Sequence, residues 1–175
     1  MEENKNNPNR RMLTGMFNDP ESTENAYRNL RDRGYTDEDI NLMMSDETRK
    51  KYYTKGESEI GTKAMEGAGT GSAIGGTIGA IAGVIAALGT SVLIPGLGII
   101  IAGPIAAGLA GAGAGGITGG LIGALIGNGI TEERAKIYES GIKDGKIVMG
   151  VHPRNEEDAR YFEEDWKKNR GEEIF

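Results

Sequence analysis

Few residues of this 175-residue chain have the type and spacing that catalysis or ligand binding requires. The run from Gly67 to Gly76 contains enough glycine to resemble a phosphate-binding loop. It follows a charged segment rather than an apolar strand, however, and it lacks the Gly-Lys-Ser/Thr ending that cradles a nucleotide phosphate. His152 is the only histidine and there is no cysteine, so a metal site would need carboxylates around one imidazole. We therefore expect no cofactor, no metal and no small-molecule substrate.

Two acidic clusters lie in the last predicted helix. Glu156, Glu157 and Asp158 begin that helix, where carboxylates stabilise the positive end of the helix dipole. The second cluster, 163–165, forms a solvated face beside the apolar stripe of Phe162 and Trp166. Neither arrangement requires a catalytic role, and we predict that the protein is not an enzyme.

The charge of the chain argues against a nucleic-acid partner. The formal net charge is −6, and no stretch supplies the basic field that neutralises phosphates. Residues 1–10 are polar and lack the apolar core of a secretory signal, and no cysteine is present to carry a lipid. We expect residues 1–10 to form a polar tail and the polar parts of the chain to lie in the cytoplasm.

The flanking sequences, 11–66 and 131–175, have the pattern of a small α+β domain. Helices are predicted to begin after the capping residues Asp19, Thr131 and Asn155. The order is strand, helix, strand, apolar insertion, helix, strand, helix, which predicts a ferredoxin-like sheet with its helices packed on one face. The predicted strands are 11–18, 40–45 and 146–152.

Between the two parts of this domain lies an insertion, 67–130, without a charged residue or a histidine. Glycine recurs at every fourth residue in two blocks, one in each of two predicted helices. This spacing places a smooth glycine groove along one side of each helix, where another backbone can approach closely. The helix-packing glycines are Gly67, Gly71, Gly75, Gly79, Gly83, Gly111, Gly115, Gly119, Gly123 and Gly127.

Every side of both predicted helices is apolar, so lipid or protein must enclose them. A helix over 67–88 would be roughly 33 Å long, about the hydrocarbon thickness of a bilayer. The α+β domain can cover one side of such a hairpin at most. The tip contains the most apolar run in the chain, and because a fully crossing hairpin would expose it to water, we expect the tip to be enclosed. The tip residues are Leu93, Ile94, Pro95, Gly96 and Leu97.

The sequence does not decide what encloses the apolar hairpin. The hairpins either insert in the inner face of the cytoplasmic membrane or form the buried core of a soluble homo-oligomer, and both cases predict self-association. A third hypothesis is a soluble module that binds lipid or another apolar ligand. Basic residues and tyrosines just before the insertion suit a lipid headgroup layer, although a solvated linker explains them equally well. These possible membrane-interface residues are Arg49, Lys50, Lys51, Tyr52, Tyr53 and Lys55.

Two stretches carry a family resemblance. The first is Met-Phe-Asn-Asp-Pro-Glu at 16–21 with the later Gly34-Tyr35 turn, and the second is the Glu-rich segment 129–149. Both resemble the bacterial general stress protein 17M-like (YflT-type) domains, some of which carry a Gly/Ala-rich insertion with a Pro-Gly centre like Pro95-Gly96. The resemblance covers about 11–152 and implies a cytoplasmic stress protein without transferable catalytic residues. The insertion alone is also similar to glycine-zipper membrane proteins of the bacterial envelope. We therefore predict a non-enzymatic stress protein that self-associates through its glycine-zipper hairpin.

Overall fold

The computed structural model describes residues 11–54, 81, 92–94, 96–111 and 120–175. These residues form five strands and six helices, and a π-helical turn over Lys50–Thr54 extends the second helix. The fold class is therefore mixed α and β, as predicted. In chain order the elements are β1 (Leu13–Phe17), α1 (Pro20–Asp32), β2 (Ile40–Ser45), α2 (Asp46–Arg49), β3 (Val92–Ile94), β4 (Ile99–Ala102), α3 (Pro104–Gly111), α4 (Gly120–Gly127), α5 (Glu132–Lys143), β5 (Ile147–Val151) and α6 (Glu156–Lys168).

The five strands form one antiparallel sheet in the order β1-β5-β2-β4-β3. Strand β5 lies between β1 and β2, so Val151 is opposite Leu13 on one side and Ile40 on the other. Alternate residues of each strand point to opposite faces of the sheet, and both faces carry a hydrophobic core. The predicted ferredoxin-like arrangement, with helices on one face, is therefore not confirmed.

One face of the sheet, which we call the aromatic face, is covered by α1 and α6. Both helices are amphipathic and capped by side chains: Asp19 accepts from the Ser22 backbone N–H at 2.8 Å, and Asn155 accepts from Asp158 N–H at 2.7 Å. The residue after the α1 C-cap is Gly34, whose φ of +82° suits glycine. The aromatic residues buried in this core are Phe17, Tyr27, Tyr35, Tyr53, Phe162 and Trp166.

The opposite face, which we call the aliphatic face, is covered by α3, α4 and α5. Tyr138 is the aromatic residue in its described core, and the remainder is Met, Leu, Ile, Val and Ala. Gly141 of α5 lies against the Met16 side chain, which leaves no room for a Cβ there. Gly103, with φ of +102°, joins β4 to α3 and lies against the backbone of Ile40 and Asn41. Small residues therefore allow this layer to approach the sheet closely.

The predicted tip of the apolar hairpin is part of the sheet. Strands β3 and β4 pair with each other, and β4 pairs with β2, so Ile101 is opposite Met43. The physical reason is that a run rich in β-branched residues favours strands; β4, inside the sheet, is buried throughout, whereas β3 forms the edge. The predicted long hairpin over 67–130 is not confirmed, because the described helices within it, α3 and α4, have eight residues each.

The two glycine blocks contact opposite faces of the sheet where the structure describes them. Ile81, from the first block, is fully buried in the aromatic-face core. Leu121, Ala124 and Leu125, from the second block, are buried in the aliphatic-face core. At these positions each block packs on the domain itself, whereas the sequence predicted a two-helix hairpin of which the domain covers one side at most.

Candidate functional site

The most unusual described surface lies on the outer side of α3 and α4. Both helices consist only of Pro, Ile, Leu, Ala and Gly, so neither has a polar side chain. Their inner residues, such as Ile105 and Leu125, are buried against the sheet. The outer side is exposed, although it is equally apolar. We call this outer side the α3–α4 apolar surface; it comprises Ala107, Gly108, Gly123, Ile126 and Gly127.

The glycines of this surface have room above them. At Gly108, Gly123 and Gly127, no described heavy atom lies within 4 Å of the point where a Cβ would be. Between the two α4 glycines, the Ile126 side chain is 44% exposed. Each glycine in a water-exposed helix interior costs about 0.8 to 1 kcal/mol relative to alanine. A second backbone that packed closely against these glycines would offset this cost.

The predicted self-association glycines fall into two groups. Gly111 is the last residue of α3, and Gly123 and Gly127 lie on the exposed side of α4. The others lie outside the described residues: Gly67, Gly71, Gly75, Gly79, Gly83, Gly115 and Gly119. The open glycine groove is thus described on α4 alone, where its spacing is the one that the sequence predicted.

The predicted tip residues have different environments within the β3–β4 hairpin. Ile94 is buried in the aliphatic-face core, whereas Leu93, on the edge strand, is 53% exposed. Gly96 has φ of +82° in the turn, and Leu97 packs against α4, 3.4 Å from the point where a Cβ on Gly120 would lie. Pro95 lies outside the described residues. Of the described tip residues, Ile94 alone is buried and Leu93 and Gly96 are exposed, so the protein's own sheet and helices enclose the tip only in part.

The described members of the predicted membrane-interface set lie at the end of α2 and in the π-helical turn that follows it. Asp46 is 2.8 Å from Arg49 and 2.6 Å from Lys50, and its hydrogen bond with Lys50, followed by that with Arg49, lowers its pKa. The Lys51 ammonium lies over the Tyr52 ring at 4.8 Å. Tyr53 is 5% exposed in the aromatic-face core, and burial raises the pKa of its hydroxyl. Lys55 lies outside the described residues. Lipid contact by these residues stays a prediction.

Sequence reasoning missed a polar cleft of about 380 Å³ at one end of the sheet. Two of its lysines form ion pairs with carboxylates outside the cleft: Lys146 is 2.8 Å from Glu172, and Lys143 is 2.5 Å from Glu139. The cleft is built where β1 and β2 end and β5 begins, an arrangement that requires the strand order and has no local sequence signal. It is lined by Asn18, Ser45, Glu47, Thr48, Lys51, Tyr52, Lys143, Asp144, Gly145 and Lys146.

In the structure, Asp158 and Glu163 of the acidic clusters form ion pairs within the domain, and His152 is partly buried. Asp158 accepts the Tyr35 hydroxyl at 2.7 Å and pairs with Arg33, so it joins α6 to the end of α1. Glu163 pairs with Lys167 one turn later at 2.6 Å. His152 directly follows β5, and partial burial lowers its pKa. No group of three or more His, Asp or Glu residues in the described part of the chain is arranged to bind a metal.

Comparison with known proteins adds no relative. No protein-family model, no curated protein and no solved structure matches this chain. The described part also contains no helix of the length and apolar character needed to cross a bilayer. Function is therefore inferred from the α3–α4 apolar surface and the sequence.

Proposed function

We propose that this protein is a non-enzymatic module that associates with other copies of itself through the α3–α4 apolar surface. One observation carries the proposal: two helices without a polar side chain bury one side against the sheet and expose the other. A helix that is apolar all round is normally enclosed. A second copy offers the same surface, and a two-fold arrangement would cover both at once.

The small residues of the surface favour a helix as the covering element. Gly123 and Gly127 are four residues apart on α4, so they lie on one line along the helix with open space above them. Small residues with this spacing let two helices approach until their backbones touch, and the exposed Ile126 side chain would be buried beside the contact. Burial would remove apolar area from water, which stabilises the contact by about 25 cal/mol per Å².

The other parts of the proposal rest on sequence. We propose that the glycine-rich insertion, 67–130, supplies the association element, and that the protein works at the inner face of the cytoplasmic membrane. A soluble homo-oligomer and a soluble module that holds lipid or another apolar ligand are the alternatives. The likeness to general stress protein 17M-like domains supports a role in the bacterial stress response.

The test compares matched variants in sedimentation velocity after detergent-free purification. Ile126→Gln and Gly123→Leu are expected to lower the association constant at least about tenfold, because each disrupts apolar helix contact. Tyr161→Gln is the control, since Tyr161 is 40% exposed on the opposite face of the molecule. An unchanged oligomer in both surface variants would contradict the proposal. Lipid recovered in fixed proportion from a monomer would instead favour the lipid-binding module.

A further inference from the structure

The β1 edge of the sheet is covered by the segment that follows α6. Residues 172–175, which we call the strap, run antiparallel to β1. Met16 and Glu172 exchange two backbone hydrogen bonds, with N···O distances of 2.8 and 2.7 Å. Thr14 and Phe175 exchange two more, both at 2.9 Å. Between these pairs, two strap residues face one residue of β1, which is the geometry of a β-bulge.

The side chains and carbonyls of the strap have specific partners. The Glu172 carboxylate accepts from Lys146 Nζ at 2.8 Å and from Asn18 Nδ2 at 2.6 Å. The Glu173 carbonyl accepts from the Tyr138 hydroxyl at 2.6 Å and from Arg134 Nη1 at 3.2 Å. These partners belong to the turn after β1, to α5 and to the loop before β5, so the strap is recognised by the folded domain rather than by its own neighbours.

The two apolar residues of the strap complete the recognition. Ile174 packs on the aromatic-face core, where Gly15 leaves room for its side chain. The Phe175 ring lies against two guanidinium groups, with the Arg11 and Arg134 Cζ atoms 3.0 and 3.9 Å from its centroid. A guanidinium group at this distance from an aromatic ring contributes cation–π attraction. The Glu173 carboxylate also lies 3.5 Å from Arg134 Nη1. The groove thus fits an extended segment with the order acidic, acidic, aliphatic, aromatic.

The strap is less firmly held than the helix before it. None of its four residues is fully buried, whereas Phe162 and Trp166 of α6 are 0% exposed. Arg170, at the hinge, and Glu173, at the bulge, have φ of +59° and +49°, a region in which L side chains are strained. Short exposed segments with few buried contacts open at low free-energy cost. An open strap leaves β1 as an unpaired edge that accepts another strand.

We infer that the β1 edge is a strand-recognition groove that is filled by the strap of its own chain and, on exchange, by the strap of a second copy. A second copy fits this groove because its residues 172–175 are identical and can make the same contacts. This exchange is a separate mode of self-association, which uses neither α3 nor α4.

Cysteine pairing tests the exchange directly, since the natural chain has no cysteine. Met16 and Glu172 are directly opposed, so the double variant M16C/E172C is expected to form a disulfide within one chain. The deciding sample mixes the single variants M16C and E172C, which can form a 16–172 disulfide only between copies. We expect at least about tenfold more cross-linked heterodimer than in a mixture of M16C with Arg160→Cys, an exposed α6 position outside the strap.

Each result decides for or against the exchange. Formation of the disulfide in the double variant, without heterodimer in the mixed singles, would overturn the inference and leave the strap as a fixed cover. If the cysteine variants do not fold, a mixture of isotope-labelled and unlabelled native chains provides the same readout. Contacts between Ile174 methyl groups of one copy and Gly15 of another would support exchange, and their absence at high concentration would refute it. Because neither measurement involves the α3–α4 apolar surface, failure here is distinguishable from failure of the proposed function.

Discussion

The two faces of the sheet are covered by helices of opposite character. On the aromatic face, α1 and α6 cover buried aromatic side chains and present charged side chains to water. This layer therefore needs no second chain to cover it. On the aliphatic face, α5 has a charged outer side, whereas α3 and α4 have no polar side chain to present to water. Each layer covers a hydrophobic core on one face of the sheet, and the two layers differ in the side chains that they leave exposed. The aromatic face completes the domain within one chain, and the aliphatic face carries the α3–α4 apolar surface on which the proposed self-association rests.

The largest expected effect concerns the centre of the aromatic face. Trp166 is fully buried, with its ring 5.8 Å from that of Phe17 and packed on Gly15. Trp166→Ala is expected to lower the free energy of unfolding by about 3 to 5 kcal/mol, because it leaves a large cavity. Urea titration followed by circular dichroism measures the change. Tyr161→Ala on the same helix should cost about 0.5 kcal/mol or less, and equal losses in both variants would remove the distinction between core and surface.

The next largest effect is expected at Gly103, which joins β4 to α3 on the aliphatic face. A Cβ on Gly103 would collide with the Ile40 carbonyl oxygen and lie 3.0 Å from Asn41 Cα, at a φ of +102°. Gly103→Ala should therefore cost about 2 to 4 kcal/mol, from strain and displaced backbone together. Gly129→Ala is the matched control, since φ is +86° there but the described surroundings are open; its expected cost is about 1 kcal/mol. Similar melting temperatures for the two variants would show that β4 and α3 do not need this close approach.

A smaller, pH-dependent effect is expected at the edge of the aromatic face. The Tyr35 hydroxyl donates to Asp158 at 2.7 Å and accepts from the Arg154 backbone N–H at 2.7 Å. Tyr35→Phe should cost about 1 to 2 kcal/mol at pH 7. Burial raises the pKa of Tyr35 from 10.0 to about 12, so its contribution is fully present below pH 10 and is lost as the pH rises towards 12.

The stability difference between wild type and Tyr35→Phe should accordingly narrow between pH 10 and 12. Urea midpoints measured at pH 7, 10 and 11.5 follow this difference. A gap that stays constant or widens with pH would show that the Tyr35 hydroxyl does not remain neutral in the folded protein.

The smallest expected change in stability has the opposite sign. Gly123→Ala should raise the free energy of unfolding of the dilute monomer by about 0.5 to 1 kcal/mol, because alanine is the better helix former and the described space above it is open. The same change should weaken self-association, since the added methyl group separates the backbones. Gly141→Ala, where a Cβ would meet Met16, should destabilise instead. A variant at Gly123 that gains stability and associates normally would argue against close helix packing.

Much of the α+β domain is predictable because its signals are local. Ile40–Ser45 has the predicted bounds, and Asp19 and Asn155 cap the helices that they were expected to cap. Helix α5 begins after Thr131, and Gly34 has the left-handed backbone expected at a helix end. Each of these features depends on two to four neighbouring residues, which the sequence shows directly.

The insertion is less predictable because its glycine repeat indicates helices while an apolar run in the middle of it forms strands. The four-residue glycine repeat predicts paired helices, whereas the run from Val92 to Ile101 forms two short strands, of which β4 lies inside the sheet and β3 forms its edge. A short apolar run is ambiguous between a buried strand and a helix segment, and only its pairing with β2 decides. The pairing of the strap with β1 has no sequence signal either. Residues 172–175 show no hydrophobic periodicity, and their partners come from distant parts of the chain.

The position of β5 also has a consequence for synthesis of the protein. β1 and β2 do not pair with each other, and both take β5 as their neighbour. A ribosome releases the chain at about 5 to 20 residues per second, so the whole uncharged insertion is made before the strand that joins the first two. For those seconds the most apolar part of the sequence has no completed sheet on which to pack. We therefore expect the nascent chain to be prone to aggregation until β5 has been made, and rapid synthesis to increase its need for chaperones.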